Sequence, residues 1–238
     1  MERYLTATKL LDIDHPIIVT LCQERKWMQL DERSRILAIY NFVRDEILFG
    51  YNAADTLSAS QVVVDGYGQC NTKTTLLMTL LRASNIPCRF HGFTIDKSLQ
   101  KGAIDGLFYW LTPRSIIHSW TEVWFENQWL NLEGCILDRA YLTSVQERFT
   151  NEGGNFCGFG IATPQLQAPQ VDWDGKHTYI QKEGINQDFG VFDDPDAFYG
   201  KHGSNLRGLK RLMFVHWIRH RLNHRVKLIR ARRWDSIL

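Results

Sequence analysis

A cysteine at the start of an apolar helix is the feature that most constrains this chain. Cys70 follows the turn-forming residues 66–69, Gly-Tyr-Gly-Gln, and precedes leucines at helical spacing. Asn85-Ile-Pro stops this run, which predicts a helix over 70–84. The N–H groups of a helix's first turn are unpaired and carry partial positive charge, so they favour a thiolate over a thiol. Position alone therefore makes Cys70 a candidate nucleophile.

The rest of the chain alternates helical and extended patterns. Two helices are predicted within 15–48, the first opened by Pro16 and the second by Asp31. Aromatic and β-branched runs around Glu126-Asn127 predict a hairpin. The remaining predictions are an extended segment at 62–65, a strand over 88–95, hairpin strands over 116–125 and 128–132, a helix over 136–149 and an irregular wrap over 151–203.

Composition is that of a globular protein with an unusual end. The chain has 238 residues, 44% of them hydrophobic and 23% charged, which suits one domain. No stretch of eighteen apolar residues occurs and the first twenty residues carry several charges, so we expect a cytoplasmic protein without a transmembrane segment. Five cysteines without Cys-x-x-Cys spacing indicate reduced thiols.

The basic end is predicted to be an extension, residues 204–238, of a catalytic domain over 1–203. Residues 201–238 contain 11 Lys and Arg but one acid. An apolar stripe with cations around it predicts a helix. This helix either packs on the acidic body, pairing with acids near 193–196, or binds an anionic partner such as lipid, nucleic acid or an acidic carrier. The stripe consists of Val215, Ile218, Leu222, Val226 and Ile229.

The hairpin supplies the partners that a cysteine nucleophile needs, an imidazole and a group that orients it. Strand alternation puts His118, Trp120 and Glu122 on one face. A two-residue turn at 126–127 would bring Glu133 to the same face near His118. A turn of another length would reverse this, so Asp138 is the alternative orienting group.

Other residues have two interpretations. Trp120, Trp124 and Trp129 either line a substrate groove or belong to the core, and large aromatics on a central hairpin favour the core. Cys88 and His91 form only one half of a metal-ligand pattern. We therefore expect neither a metal site nor an organic cofactor.

Together these motifs resemble a known family. Gly68-Gln69-Cys70, His118-x-Trp-x-Glu-Val and Trp129-x-x-x-Glu133 occur in the order found in the transglutaminase-like superfamily of papain-type cysteine enzymes, and the resemblance spans about 30–140. It implies an α+β papain-like, transglutaminase-like core, with the nucleophile helix packed on an antiparallel sheet and a basic C-terminal helix beside it. Bacterial stand-alone members are most similar, because Asn71 replaces the Trp of the calcium-dependent enzymes.

The resemblance implies acyl transfer at an amide of a peptide or peptide-like substrate. Cys70 would be the nucleophile, His118 the general base and acid, and Glu133 would take the place of the family's usual Asp. Backbone N–H groups would bind the oxyanion, with Gln69 or Tyr67 as further candidate donors and Trp120 as a candidate for substrate positioning.

Several alternatives stay open. The second acceptor is water in a hydrolase and an amine in a transamidase. An arylamine acetyltransferase uses the same three roles, but the sequence around Cys70 does not resemble that family. A non-catalytic module could instead bind an anionic partner through its groove or basic helix. Residues 96–115 are expected to cover the cleft.

Overall fold

The computed structural model describes residues 1–104, 106–111, 113–205 and 208–236. The predicted cleft segment 96–115 and the predicted extension 204–238 each include positions outside these ranges. The helices are α1 (Pro16–Arg25), α2 (Glu32–Asn41), α3 (Ala59–Asp65), α4 (Cys70–Ala83), α5 (Gly106–Leu111), α6 (Arg139–Arg148), α7 (Pro195–His202), α8 (Gly208–Met213) and α9 (Arg219–Arg230). The strands are β1 (Leu48–Phe49), β2 (Tyr67–Gly68), β3 (Cys88–Asp96), β4 (Ser115–Phe125), β5 (Gln128–Leu132), β6 (Phe156–Gly158), β7 (Ile161–Thr163) and β8 (Ile185–Phe192).

Most predicted elements form where local signals place them. The Asp31 carboxylate accepts the Ser34 N–H and begins α2, as expected of an N-cap. Glu126 and Asn127 both adopt positive φ, which a two-residue hairpin turn that matches the strand twist requires. This turn fixes the register of β4 against β5, with Trp124 opposite Trp129.

The main sheet has four antiparallel strands in the order β5-β4-β3-β8. Helix α4 packs on it, and its Thr74 hydroxyl donates to the Ser119 carbonyl of β4 at 3.1 Å. The four leucines of α4, at 76, 77, 80 and 81, are fully buried. The expected α+β arrangement, a nucleophile helix packed on an antiparallel sheet, is therefore confirmed.

Two sequence predictions are wrong. Residues 62–65 are helical, because the Ser58 hydroxyl accepts the Gln61 N–H at the start of α3 and Gly66, at φ +67°, ends it. These caps override the β propensity of three consecutive valines. The segment 151–203 is not wholly irregular, since β8 extends the main sheet and α7 follows it. As an edge strand, β8 has no fully buried residue, which explains its weak apolar pattern.

The C-terminal helices pack on the domain. In α9, Leu222, Val226 and Ile229 are buried, and Ser144 of α6 donates to the Ile229 carbonyl. Two cations of the C-terminal segment pair with acids, but not with those expected near 193–196. Arg230 pairs with Asp138, and Arg232 pairs with Glu147. None of the helices in the described ranges is long and apolar enough to cross a membrane.

Candidate functional site

Cys70 lines a cavity of about 470 Å³. It is the first residue of α4 and is half-buried. The helix start is fixed by Thr72, whose hydroxyl accepts the Gln69 N–H at 3.0 Å. The thiol is thus both accessible from the cavity and held on a rigid element.

The side chains of His118 and Glu133 are joined by a hydrogen bond. The His118 Nε2 and a Glu133 carboxylate oxygen, Oε1, are 2.7 Å apart, and both side chains are fully buried. The second oxygen of Glu133, Oε2, accepts the N–H groups of Ile180 and Gln181 at 2.9 and 3.0 Å. The carboxylate therefore has three fixed donors around it and cannot rotate without losing one.

Only one nitrogen of the His118 imidazole is bonded within the described residues. With Nε2 bonded to Glu133, Nδ1 makes no hydrogen bond of ordinary geometry to any other described residue. Burial alone would lower the pKa of His118, but the charge of nearby Cys70, with a further contribution from Glu133, raises this pKa to about 9. Such a shift favours the protonated form of this imidazole.

The other sequence-selected residues lie in different surroundings. Gln69 lines the cavity together with Cys70. The Tyr67 hydroxyl accepts a hydrogen bond from Arg219 at 3.3 Å, and Tyr67 is not among the described residues that line the cavity. Trp120 is buried against Phe93, with ring centroids 4.0 Å apart.

Asp138, the alternative orienting group, is occupied elsewhere. Its carboxylate accepts the N–H groups of Phe49 and Tyr141 and pairs with Arg230. The Cys88 thiol donates to the Met78 carbonyl at 3.5 Å, whereas His91 bonds to two acids, Glu122 and Asp188. In the part of the chain that the structure describes, no group of three His, Cys, Asp or Glu side chains is placed to hold a metal ion.

A buried lysine supports the turn that follows Glu133. Lys73 lies on α4, one turn after Cys70, and its Nζ donates to the carbonyls of Arg44 and Ile136 at 3.0 Å each. The Ile136 N–H in turn donates to the Glu133 carbonyl. Burial lowers the pKa of Lys73 to about 8. Helix α4, which carries Cys70, is thereby tied to the segment that carries Glu133.

Asp55 and Asn205 are site residues that the sequence analysis missed. Asp55 is buried, and its Oδ1 accepts from the side-chain amides of Gln69 and Asn71, at 2.9 and 3.0 Å. Its Oδ2 accepts from the backbone and side-chain nitrogens of Asn205, at 3.1 and 3.0 Å. The Asn205 Oδ1 also accepts the N–H of Ile117, the neighbour of His118, at 2.7 Å. No periodic pattern marks either residue, because both lie in loops.

The C-terminal segment forms one wall of the cavity, which the sequence analysis also missed. Phe214, Ile218 and Leu222 line it, as does the loop around Asp55. Three residues of the predicted cleft segment 96–115 contribute to another wall: Gln100, Ile104 and Pro113.

Comparison with known proteins shows which family this chain is similar to. Residues 21–134 match the sequence model of the transglutaminase-like superfamily. A "putative cysteine protease" from Cytophaga hutchinsonii aligns with 82% of this chain at 16% identity and a TM-score of 0.37, and this chain spans about half of that structure, 53%. Red sea bream transglutaminase aligns with 51% of this chain and 25% of its own length, at 18% identity and a TM-score of 0.32.

The comparison with curated proteins gives no significant match. The family match contains Cys70, His118 and Glu133, the residues around which the site is built. The sequence of residues 21–134 is therefore similar to that of the transglutaminase-like superfamily.

Proposed function

We propose that this protein is a cysteine-dependent acyltransferase or hydrolase that acts on an amide of a peptide-like substrate. Cys70 is the nucleophile, His118 the general base and acid, and Glu133 the group that orients the imidazole. The observation that carries the proposal is the His118 imidazole, which is fixed by Glu133 through Nε2 and has its pKa raised by nearby Cys70. Such a pair is the arrangement by which cysteine enzymes activate a thiol.

The reaction follows from these positions. The Cys70 thiolate attacks the substrate carbonyl and forms a carbon–sulfur bond, while negative charge develops on the carbonyl oxygen. The carbon–nitrogen bond of the amide then breaks, and His118 gives its proton to the leaving amine. Water or a second amine attacks the thioester and passes a proton to His118, which restores the thiolate and imidazolium pair.

The cavity supports an apolar group on the acyl side of the substrate. Its walls carry Ile104, Ile116, Phe214 and Ile218, whereas several of its polar side chains are already bonded to one another. The Gln100 amide oxygen, for example, accepts the Tyr51 hydroxyl at 2.7 Å. A substrate that leaves these polar groups bonded and fills the space with aliphatic or aromatic atoms would gain most from burial.

Alkylation by iodoacetamide tests the thiolate and imidazole pair without knowledge of the substrate. We expect Cys70 to react rapidly at pH 6, well below the pKa of about 8.5 of a free thiol, and to lose this advantage in His118→Ala. Cys157, which is exposed, is the internal reference in the same protein. Peptide mass mapping assigns the modified residue.

The outcomes separate an enzyme from a binding module. A Cys70 that reacts at pH 6 no faster than Cys157 in the parent protein would refute the proposed nucleophile. A reactive Cys70 that forms no thioester with any p-nitrophenyl acyl ester would refute acyl transfer and favour the non-catalytic module that uses the same cavity.

A further inference from the structure

The amide of Gln69 has its orientation fixed by groups of opposite character on its two sides. Its Oε1 accepts the backbone N–H of Asn52 at 3.0 Å, and its Nε2 donates to Asp55 at 2.9 Å. If the amide were reversed, its oxygen would face the Asp55 carboxylate and its NH₂ group would face the N–H of Asn52. The two neighbours therefore determine which end of Gln69 carries its hydrogens.

Both neighbours are themselves immobile. Asn52 is fully buried, and its side chain donates to Asp65 and to the Tyr67 carbonyl, at 2.7 and 3.0 Å. The Asp55 carboxylate has two donors on each oxygen, since Asn205 holds the oxygen that Gln69 and Asn71 do not. Four N–H donors also satisfy the buried charge, as a carboxylate away from water requires.

Among the described residues, no partner takes the second N–H of Gln69. The carboxamide has two N–H bonds, of which Asp55 takes one, and its oxygen is occupied by Asn52. Gln69 lines the cavity next to Cys70, where the carbonyl oxygen of an acyl group becomes negative during attack. A donor held in advance at this place stabilises the transition state without reorganisation.

We propose that Asp55 is a positioning residue that holds the Gln69 amide with its remaining N–H available to the oxyanion. The inference rests on the proposed acyl transfer at Cys70 and adds a residue to it. Asp55 does not act on the substrate itself, and its effect passes through Gln69. Asn205, from the segment after α7, completes the support by fixing Asp55.

Two reactions of the same thiol distinguish this role from a structural one. Alkylation by iodoacetamide replaces iodide at carbon and forms no oxyanion, whereas acylation by p-nitrophenyl butyrate passes through a tetrahedral oxyanion. Loss of one oxyanion donor lowers acyl transfer by about 10²–10³-fold. We therefore expect Gln69→Ala to slow acylation by about 100-fold and to change alkylation of Cys70 by less than about threefold.

Asp55→Ala should give the same pattern for a different reason. The link between α4 and β4 persists in this variant, because Asn71 still donates to the Ile117 carbonyl and accepts from Ser119. Alkylation of Cys70 should thus stay near the parent rate while acylation falls to that of Gln69→Ala. The double variant should be no slower than either single one, since both remove the same donor.

Asp12→Ala is the matched control, because Asp12 is a hydrogen-bonded carboxylate that binds Ser60 and is not among the described residues that line the cavity. It should acylate at the parent rate. If Asp55→Ala does not unfold cooperatively on heating, it is not folded and Asp55→Asn is used in its place. We expect a smaller loss of acylation, again without a loss of alkylation, because one oxygen must then serve four donors.

The inference is overturned if a folded Asp55 variant acylates at the parent rate, if it loses alkylation and acylation equally, or if the double variant shows the product of the two single effects. A parent protein that alkylates at Cys70 but never acylates would instead refute the proposed function.

Discussion

Glu133→Gln should leave His118 neutral with its proton on Nδ1, and should remove nearly all activity. In the parent, Glu133 Oε2 accepts two backbone N–H groups, and Oε1 bonds to His118 Nε2. A glutamine has one oxygen, and turning its NH₂ towards the backbone would leave two buried N–H groups unsatisfied at about 1–3 kcal/mol each. The oxygen will therefore face Ile180 and Gln181, and the NH₂ will face His118.

The consequence is a proton on the wrong nitrogen. His118 Nε2 must then accept a hydrogen bond, so Nδ1 carries the proton and cannot receive one from Cys70. A wrong tautomer of this kind lowers kcat by about 10⁴-fold. Acylation by p-nitrophenyl butyrate measures the loss, and ¹⁵N NMR of the imidazole reports the tautomer.

Asp138→Asn is the control for this experiment, because Asp138 is an equally buried carboxylate that bonds to Phe49, Tyr141 and Arg230 instead. It should lower stability but leave the pH profile of Cys70 alkylation unchanged. Activity of Glu133→Gln within tenfold of the parent, or a proton on Nε2 of His118 in this variant, would refute the reasoning.

Three further predictions concern charge and packing. Cys70→Ala should lower the pKa of His118 from about 9, which ¹H NMR titration measures, and an unchanged value would remove Cys70 as the main cause. A raised histidine pKa stabilises the fold below about pH 6.5, and this contribution is lost as pH rises towards 9. The same variant should therefore lose less stability than the parent between these pH values in urea unfolding. The lowered pKa of Lys73 means that the unfolded chain binds more protons than the folded one between pH 8 and 10.5, so the stability of the parent rises over this range. Lys73→Met should abolish this rise. An equal rise in both proteins contradicts the prediction. Truncation after residue 203 removes three buried side chains that stabilise the fold by about 1.5–3 kcal/mol each, so the truncated protein should not unfold cooperatively on heating. The three side chains are those of Leu222, Val226 and Ile229. A stable truncated protein would show that the domain folds without the extension.

Local signals predicted the elements that carry the proposed triad. A helix start with Cys70, a two-residue turn and strict alternation along β4 and β5 were enough to expect Glu133 near His118. The structure has both turn residues at positive φ, and the resulting register brings the two side chains within 2.7 Å. Short-range stereochemistry determines this part of the molecule, so one sequence was sufficient.

Contacts between distant loops could not be predicted in this way. Asp55 and Asn205 are 150 positions apart, and neither stands in a periodic segment. The basic composition of residues 204–238 suggested a helix appended to the domain. In the structure, apolar residues of this segment line the cavity that contains Cys70. Residues 62–65 show the opposite error, because two capping residues outweighed the local β propensity.

The wall formed by the C-terminal segment has a consequence for how the protein is made. A ribosome synthesises Cys70, His118 and Glu133 well before Asn205, which follows the cysteine by 135 positions, and Leu222 comes later still. A nascent chain can therefore contain the whole triad while its thiol has neither an enclosing cavity nor a fixed Asp55. The cavity that Cys70 lines is therefore complete only after synthesis has passed Leu222.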